Sequence, residues 1–298
     1  MTQNSIFDSE IVAPDDTLSR RERTLVGFDG RYDRVSAQLR LLLHADKLGE
    51  WSNRFHRAEL PICARVADQY PLVIFHGDVG TGKTANAESI ANRLMRDSRT
   101  EDSVIFRLSN QVRGSGKVGE MSTLLSEALK RVVASAGPNR RAVLIIDEGD
   151  SIAASRSQDQ SHHEDKVAVN TLIQGIDDLR KYKGRIVVIL CTNRLSVVDA
   201  ALVRRAAIVE EFKRPSDAER SQLLNMDLSG LNLDAVQIGK LVAATGPHAG
   251  RPGWTFSDFR TRFYPAAVAA AFPDRPLSFD VLRTVATGIA PSRVMEDR

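Results

Sequence analysis

The chain has 298 residues, of which 42% are hydrophobic and 27% charged, so it holds enough apolar material for a folded core and is not a disordered protein. Its 41 basic and 38 acidic residues give a net charge of +3, which is too balanced to require a nucleic-acid or membrane partner. Two cysteines exclude a disulfide framework and favour a reducing cytoplasm, and neither a signal peptide nor a membrane-spanning segment is expected.

The first 215 residues predict an arm followed by an α/β domain. Residues 1–23 are polar and end in a basic cluster, which predicts a flexible N-terminal arm. From residue 24 onward, short β-branched runs alternate with helical periodicity, the pattern of a parallel sheet with crossover helices. The five predicted strands are 72–75, 104–108, 143–146, 186–190 and 208–212. Apolar stripes over 121–133 and 172–179 predict helices that pack on this sheet.

After Pro215 the strand pattern stops and the sequence is helical in character. Ser216 and Glu219 have the spacing of a capping box, which predicts the start of a helix. Further helices are predicted around 235–244, 257–272 and 279–289. We therefore predict a large α/β domain over 24–215 and a small helical lid domain with a C-terminal tail over 216–298.

A glycine-rich segment between the first predicted strand of the sheet and a helix is the most informative motif. It fits the pattern G-x-x-x-x-G-K-[ST], in which backbone N–H groups and a helix N-terminus surround phosphate groups. The lysine is expected to reach the β- and γ-phosphates of a nucleotide, and the last hydroxyl is expected to ligate Mg²⁺. The motif comprises Gly77, Asp78, Val79, Gly80, Thr81, Gly82, Lys83 and Thr84.

Two later strands end in polar residues that suit phosphate chemistry. Asp147 and Glu148 follow the strand 143–146, at the sheet edge where α/β proteins bind ligands. Asp147 is expected to help hold Mg²⁺, and Glu148 to polarise the attacking water. Asn193 follows the strand 186–190, and its neutral amide is suited to bind that water or the γ-phosphate without adding negative charge.

The order of the phosphate motif, the acidic pair, Asn193 and the pair Arg204-Arg205 resembles an AAA+ ATPase over nearly the whole chain. The resemblance implies a five-stranded parallel sheet, a helical lid and a hexameric ring with ATP at subunit boundaries. It also implies that Asn193 is sensor 1 and that Arg204 and Arg205 are arginine fingers for the neighbouring subunit, with Arg205 the stronger candidate.

Within the AAA+ proteins, three segments are similar to the pachytene checkpoint (thyroid-receptor-interacting protein) ATPases, which remodel HORMA-domain proteins. They are 147–156, 167–177 and 201–216. By the same resemblance, Arg251 is sensor 2, and Gly27 and Phe28 belong to a segment beside the adenine. The pore loop that grips substrate corresponds to Lys117, Val118, Gly119 and Glu120, although an aromatic residue is usual where this chain has Lys117-Val118.

The resemblance implies a cytoplasmic enzyme that uses ATP and Mg²⁺ to open a HORMA-domain protein in bacterial anti-phage signalling by cyclic oligonucleotides. Composition shows no such partner, and two other interpretations stay open. The first is a DNA-associated AAA+ switch, such as a helicase loader or a transposition regulator. The second is a scaffold that binds ATP without turnover. Stimulation of hydrolysis by DNA or by an unfolding-prone protein would discriminate between the remodeller and the DNA switch.

Overall fold

The structure is a computed structural model that describes residues 6–98, 103–113, 119–137, 140–154, 163–248 and 250–295. Its sheet has six strands in the order β1-β3-β4-β5-β2-β6. Strands β2, β3, β4 and β5 are mutually parallel where they pair, whereas β1 runs antiparallel to β3. The strands are β1 (Phe7–Ala13), β2 (Leu72–Gly77), β3 (Ser103–Leu108), β4 (Ala142–Ile146), β5 (Ile186–Thr192) and β6 (Ala206–Phe212).

One or more helices separate each pair of successive strands, with four between β1 and β2, and helices alone follow β6 in the described part of the chain. They are α1 (Asp16–Glu22), α2 (Phe28–Leu43), α3 (Leu48–His56), α4 (Pro61–Ala67), α5 (Lys83–Asp97), α6 (Glu120–Ser135), α7 (Gly149–Ile152), α8 (His163–Leu179), α9 (Ala200–Arg205), α10 (Asp217–Asp227), α11 (Ala235–Ala244), α12 (Tyr264–Ala271) and α13 (Phe279–Gly288). A π-helical turn over Asp258–Phe263 leads into α12. Within the described ranges, none of these helices combines the length and apolar character needed to cross a membrane.

The predicted α/β fold is confirmed, and each of the five predicted strands is present. Every residue of β4 and β5 is buried, which explains why their sequences are apolar without alternation. On one face of the sheet, Leu144 and Val188 belong to a cluster with Leu125 of α6 and Ile176 of α8. The helical stripes thus pack where their periodicity predicts.

Residues 7–22 differ from the expected flexible arm, because they form β1 and α1. Phe7 and Ala13 are buried at the ends of β1, and the Phe7 ring lies 4.8 Å from that of Phe106. The intervening β1 residues Asp8 and Glu10 are exposed, which is typical of an edge strand. An edge strand of this kind needs few apolar residues. The polar composition of residues 1–23 therefore predicted a flexible arm instead of a strand.

The chain divides into two compact units. The sheet unit comprises Met1–His76, Thr84–Glu211 and Asp297–Arg298, and the helical unit comprises Gly77–Lys83 and Phe212–Glu296. In the helical unit, Ser216 and Glu219 form the predicted capping box at α10, with reciprocal side-chain and backbone hydrogen bonds. Helix α11 has the predicted limits of 235–244, and α13 begins at the predicted residue 279.

Candidate nucleotide site

The glycine-rich segment forms a tight loop between β2 and α5. Gly77, Gly80 and Gly82 have positive φ angles of 137°, 78° and 88°, which disfavour any other residue. The buried Lys83 donates hydrogen bonds from Nζ to the carbonyl oxygens of Gly77 and Asp78, both at 2.9 Å. The lysine therefore lies against its own loop, and those two carbonyls hold the ammonium that an incoming phosphate would attract.

Thr84, at the start of α5, contacts the end of β4. Its Oγ1 donates a 2.8 Å hydrogen bond to Oδ2 of Asp147. A hydroxyl and a carboxylate are hard oxygen ligands, and Mg²⁺ binds through few protein oxygens while keeping several waters. In the part of the chain that the structure describes, no group of three or more His, Cys, Asp or Glu residues could hold a metal. The Thr84-Asp147 pair therefore fits Mg²⁺ better than a metal that needs a complete protein cage.

Glu148 directly precedes α7 and has a left-handed backbone conformation, with φ 50° and ψ 46°. Its amide donates a 2.9 Å hydrogen bond to Oδ1 of Asp147, and its side chain is exposed. A non-glycine residue in this region costs on the order of 1 kcal/mol or more, and such strain is concentrated at functional sites. The geometry agrees with a carboxylate held out from the strand end.

Asn193 follows β5, the neighbour of β4 in the sheet. Ile146 pairs with Leu190, so the two parallel strands end side by side. The backbone N–H of Asn193 and the hydroxyl of Thr192 both donate to the Oδ1 atom of Asp150, at 3.4 and 3.3 Å. Sequence reasoning missed Asp150, which links the turn after β5 to α7. Its position three residues after Asp147 was the available signal.

Arg204 and Arg205 have different surroundings although they are adjacent at the end of α9. Arg205 binds both carboxylate oxygens of Asp177, through Nε at 2.7 Å and Nη2 at 3.0 Å. Its guanidinium also lies 5.2 Å from the centre of the Tyr70 ring. The hydrogen bond that Arg205 donates to the Asp177 carboxylate raises the pKa of Arg205 above its ordinary value, so the side chain stays charged. Its side chain is 23% exposed, so it is not sealed inside the subunit.

Arg204 is exposed, and it makes no hydrogen bond or ion pair with any other residue that the structure describes. Arg251 is also exposed, in a turn closed by two backbone hydrogen bonds with His248 at 3.1 and 2.9 Å. Both guanidinium groups are thus available to a ligand or a neighbouring subunit. The finger role of Arg204 and the sensor 2 role of Arg251 stay predictions from the sequence.

The adenine segment lies at the start of α2, and the pore loop is described from Gly119 onward. Gly27 has φ 70° and precedes α2, whereas the Phe28 side chain is buried with the Arg93 guanidinium 5.7 Å from its ring centre. The Phe28 ring is therefore part of the core. Lys117 and Val118 lie outside the described residues. Gly119, with φ 82°, precedes α6, and Glu120 is the first residue of that helix.

Sequence reasoning also missed Arg214, which binds the phosphate loop within the helical unit. Its Nε and Nη2 atoms each lie 2.6 Å from Oδ2 of Asp78. The motif leaves the second position free, so the pattern gave no reason to expect a paired carboxylate there. A cation just before Pro215 was visible in the sequence, but nothing in its spacing pointed to the loop.

The fold and these side chains define a P-loop nucleoside triphosphatase with an appended helical unit. The family model for ATPases associated with various cellular activities (AAA) matches residues 73–214. "CD-NTase-associated protein 6" of Escherichia coli (strain KTE188) is 62% identical over 297 residues, which cover 100% of both chains.

Two solved structures have similar folds over nearly the whole chain. One is a chain of the E. coli MS115-1 HORMA:CdnC:Trip13 complex, with 35% identity and a TM-score of 0.89 over 99% of this chain and 100% of that one. The other is Rhizobiales Trip13, with 32% identity and a TM-score of 0.73 over 96% of this chain and 99% of that one. The chain therefore belongs to the AAA+ ATPases, in the family of CD-NTase-associated protein 6 and Trip13, which confirms the resemblance seen in the sequence.

Proposed function

We propose that this ATPase binds ATP and Mg²⁺ at residues 77–84, works as a cytoplasmic hexameric ring, and partially unfolds a HORMA-domain protein. The observation that carries the proposal is the hydrogen bond between Thr84 and Asp147, because it brings together the two oxygen ligands that Mg²⁺–ATP needs. The similar chain in the HORMA:CdnC:Trip13 complex supports the substrate class. The proposal extends to control of anti-phage signalling by cyclic-oligonucleotide synthases.

Binding of ATP would use groups that are already gathered in the loop. Lys83 would exchange the carbonyls of Gly77 and Asp78 for β- and γ-phosphate oxygens, while the loop amides bind the remaining phosphate oxygens. Thr84 and Asp147 would hold Mg²⁺, which when bound neutralises charge on the phosphates. The backbone beside Gly27 would border the adenine, since the Phe28 ring is buried.

Hydrolysis would use Glu148 to orient the attacking water and accept its proton. Asn193, whose backbone N–H donates to Asp150, would use its side-chain amide to bind the water or the γ-phosphate from the other strand end. Arg204 and Arg205 of the adjacent copy would neutralise charge that develops on the transferred phosphoryl group, and Arg251 would contact the γ-phosphate of its own copy. Catalysis would thus depend on contact between copies.

Substrate movement would use the pore loop that precedes α6. Residues 117–118 would grip the chain of the HORMA protein, and Gly119 would fix where the loop joins the helix. Partial unfolding from one terminus suits such a substrate, because a topologically closed segment is released only when its packing is disrupted.

The proposal is tested with Glu148→Gln, a variant that keeps the size of the side chain but removes the base. We expect turnover to fall by about 10²-fold or more while ATP binding is retained, because a general base contributes to the transition state alone. ATP hydrolysis and equilibrium ATP binding are measured on the same preparation. Glu127→Gln, at an exposed position of α6, is the matched control and should hydrolyse ATP like the wild type.

The same variant identifies the substrate. Glu148→Gln protein loaded with ATP is used to capture partners from the host, and mass spectrometry should find a HORMA-domain protein that is absent when Lys83→Ala is used. Wild-type turnover by Glu148→Gln would refute the assignment of the base. Capture of no HORMA protein, together with stimulation of wild-type ATPase by DNA, would favour the DNA-associated switch instead.

A further inference from the structure

Asp78 places a carboxylate inside the loop that is proposed to bind a triphosphate. Its Oδ1 accepts a 2.9 Å hydrogen bond from the amide of Val79, which turns the carboxylate back onto its own loop. The side chain is only 11% exposed, so water screens its charge poorly. An uncompensated negative charge at this position would repel phosphate groups.

Arg214 supplies the compensating charge. Nε and Nη2 of its guanidinium both lie 2.6 Å from Oδ2 of Asp78, and its side chain is 13% exposed. A largely buried pair of this kind is held by short, charge-assisted hydrogen bonds. Arg214 is therefore the cation that pairs directly with the Asp78 carboxylate, while Lys83 binds the backbone carbonyls of the same loop.

The same guanidinium ties the loop to the end of the chain. Nη2 donates to the carbonyl oxygens of Ser292 at 2.9 Å and Arg293 at 3.1 Å. The amide of Met295 donates to Oδ1 of Asp78 at 3.2 Å. The segment 292–295 thus contacts both members of the pair through its backbone.

Ser292 fixes this segment to the buried Asp258. Its hydroxyl and amide donate to the Asp258 carboxylate at 2.5 and 3.2 Å. Burial would raise the pKa of Asp258, but hydrogen bonds from Ser292 and Thr255 outweigh it and lower the pKa, so this acceptor stays ionised. Ser257, next to Asp258, donates its amide to the carbonyl oxygen of Gly80 at 3.2 Å. The segment and the loop therefore share one network within the helical unit.

We propose that Arg214 is a positioning residue for ATP binding, which neutralises Asp78 and ties the phosphate loop to the segment 292–295. The inference rests on the proposed nucleotide site at residues 77–84. It assigns to Asp78 a role as the attachment point of the loop, and to the end of the chain a role in nucleotide affinity.

The test measures the dissociation constant of a fluorescent ATP analogue at low salt. Arg214→Gln should bind about tenfold more weakly, because it leaves a poorly screened carboxylate beside the anion. The double variant Asp78→Asn with Arg214→Gln removes both charges, and we expect its affinity to return to within about threefold of the wild type. Arg283→Gln, which breaks an exposed ion pair with Asp280 in the same unit, is the control and should bind normally.

A second variant, which ends at residue 291, keeps both charges but loses the ties from Ser292, Arg293 and Met295. We expect it to bind the analogue about threefold or more weakly, because each tie orders the loop before the ligand arrives. If Arg214→Gln does not fold, this variant still tests the ties that Arg214 and Asp78 make to the segment 292–295.

Failure of the proposed nucleotide site and failure of the role of Arg214 give different binding results. If the wild type does not bind the analogue, the proposed nucleotide site is wrong. If the wild type binds but Arg214→Gln binds equally well, or the double variant is no better than the single one, the positioning role of Arg214 is overturned. Unchanged affinity in the shortened chain would overturn the role of the segment 292–295.

Discussion

Adjacent residues of the same type have separate physical roles when their neighbours differ. Arg205 is held by Asp177, by the carbonyl oxygen of Ala201 at 3.1 Å and by the Tyr70 ring, so its position is fixed within one subunit. Arg204 is exposed one position earlier. A held guanidinium loses little rotamer freedom when it meets a phosphate, whereas an exposed one moves to its ligand. The pair therefore combines a cation that is held in place with one that is exposed.

This difference predicts different consequences for Arg204→Ala and Arg205→Ala. Both should lower ATP turnover, by on the order of 10³-fold for the residue that reaches the neighbouring phosphate. Arg205→Ala should also lower the free energy of unfolding by about 1 kcal/mol, a modest amount because its partner Asp177 is 39% exposed. ATPase assays and thermal unfolding check this, and equal melting temperatures for the two variants would contradict it.

At the scale of elements, turns are fixed by backbone contacts that are remote in sequence. Gly184, in the turn before β5, has φ 83°, and a Cβ atom there would lie 1.5 Å from the carbonyl oxygen of Leu42 in α2. The backbone of α2 thus approaches the start of β5 too closely for any other residue. Gly230 also has a positive φ, of 97°, but the space around it is open.

The two glycines form a matched pair for mutation. Gly184→Ala should destabilise the protein by about 3 kcal/mol or more, since a backbone clash adds to the conformational strain. Gly230→Ala introduces the conformational strain without a clash, so it should lower the free energy of unfolding by about 1 kcal/mol. Apparent melting temperatures of the two variants give the comparison. Similar losses in both would mean that α2 does not pack against the turn as described.

At the scale of the whole molecule, the proposed chemistry needs more than one copy. The phosphate loop, Asp147 and Glu148 would come from one copy, and Arg204 and Arg205 from the next. A ring built from one repeated contact supplies every copy with both halves of a site. Activity should then be a property of the assembly rather than of the single chain.

Mixing two inactive variants tests whether each active site is shared between two copies. Glu148→Gln lacks the base but keeps its arginines, and Arg204→Ala with Arg205→Ala lacks the arginines but keeps the base. An equal mixture should recover about a quarter of the wild-type ATPase, because a random site combines the two intact halves with that frequency. A mixture of Glu148→Gln with Lys83→Ala has no site with both an intact loop and a base, and should stay inactive. Absence of recovery in the first mixture, when the subunits have exchanged, would show that the arginines act within their own copy.

The amino-acid sequence determined the strands β2 to β6, the capping box at Ser216 and the loop at residues 77–84. These features depend on local periodicity and on residue types with one physical use, such as glycine at positive φ. The tertiary structure alone decided that Phe7–Ala13 is an edge strand, that Asp177 holds Arg205, and that Arg214 pairs with Asp78. In each of these cases the partners lie between 28 and 136 residues apart or across a sheet edge, and no local pattern specifies which distant charge or strand will meet them.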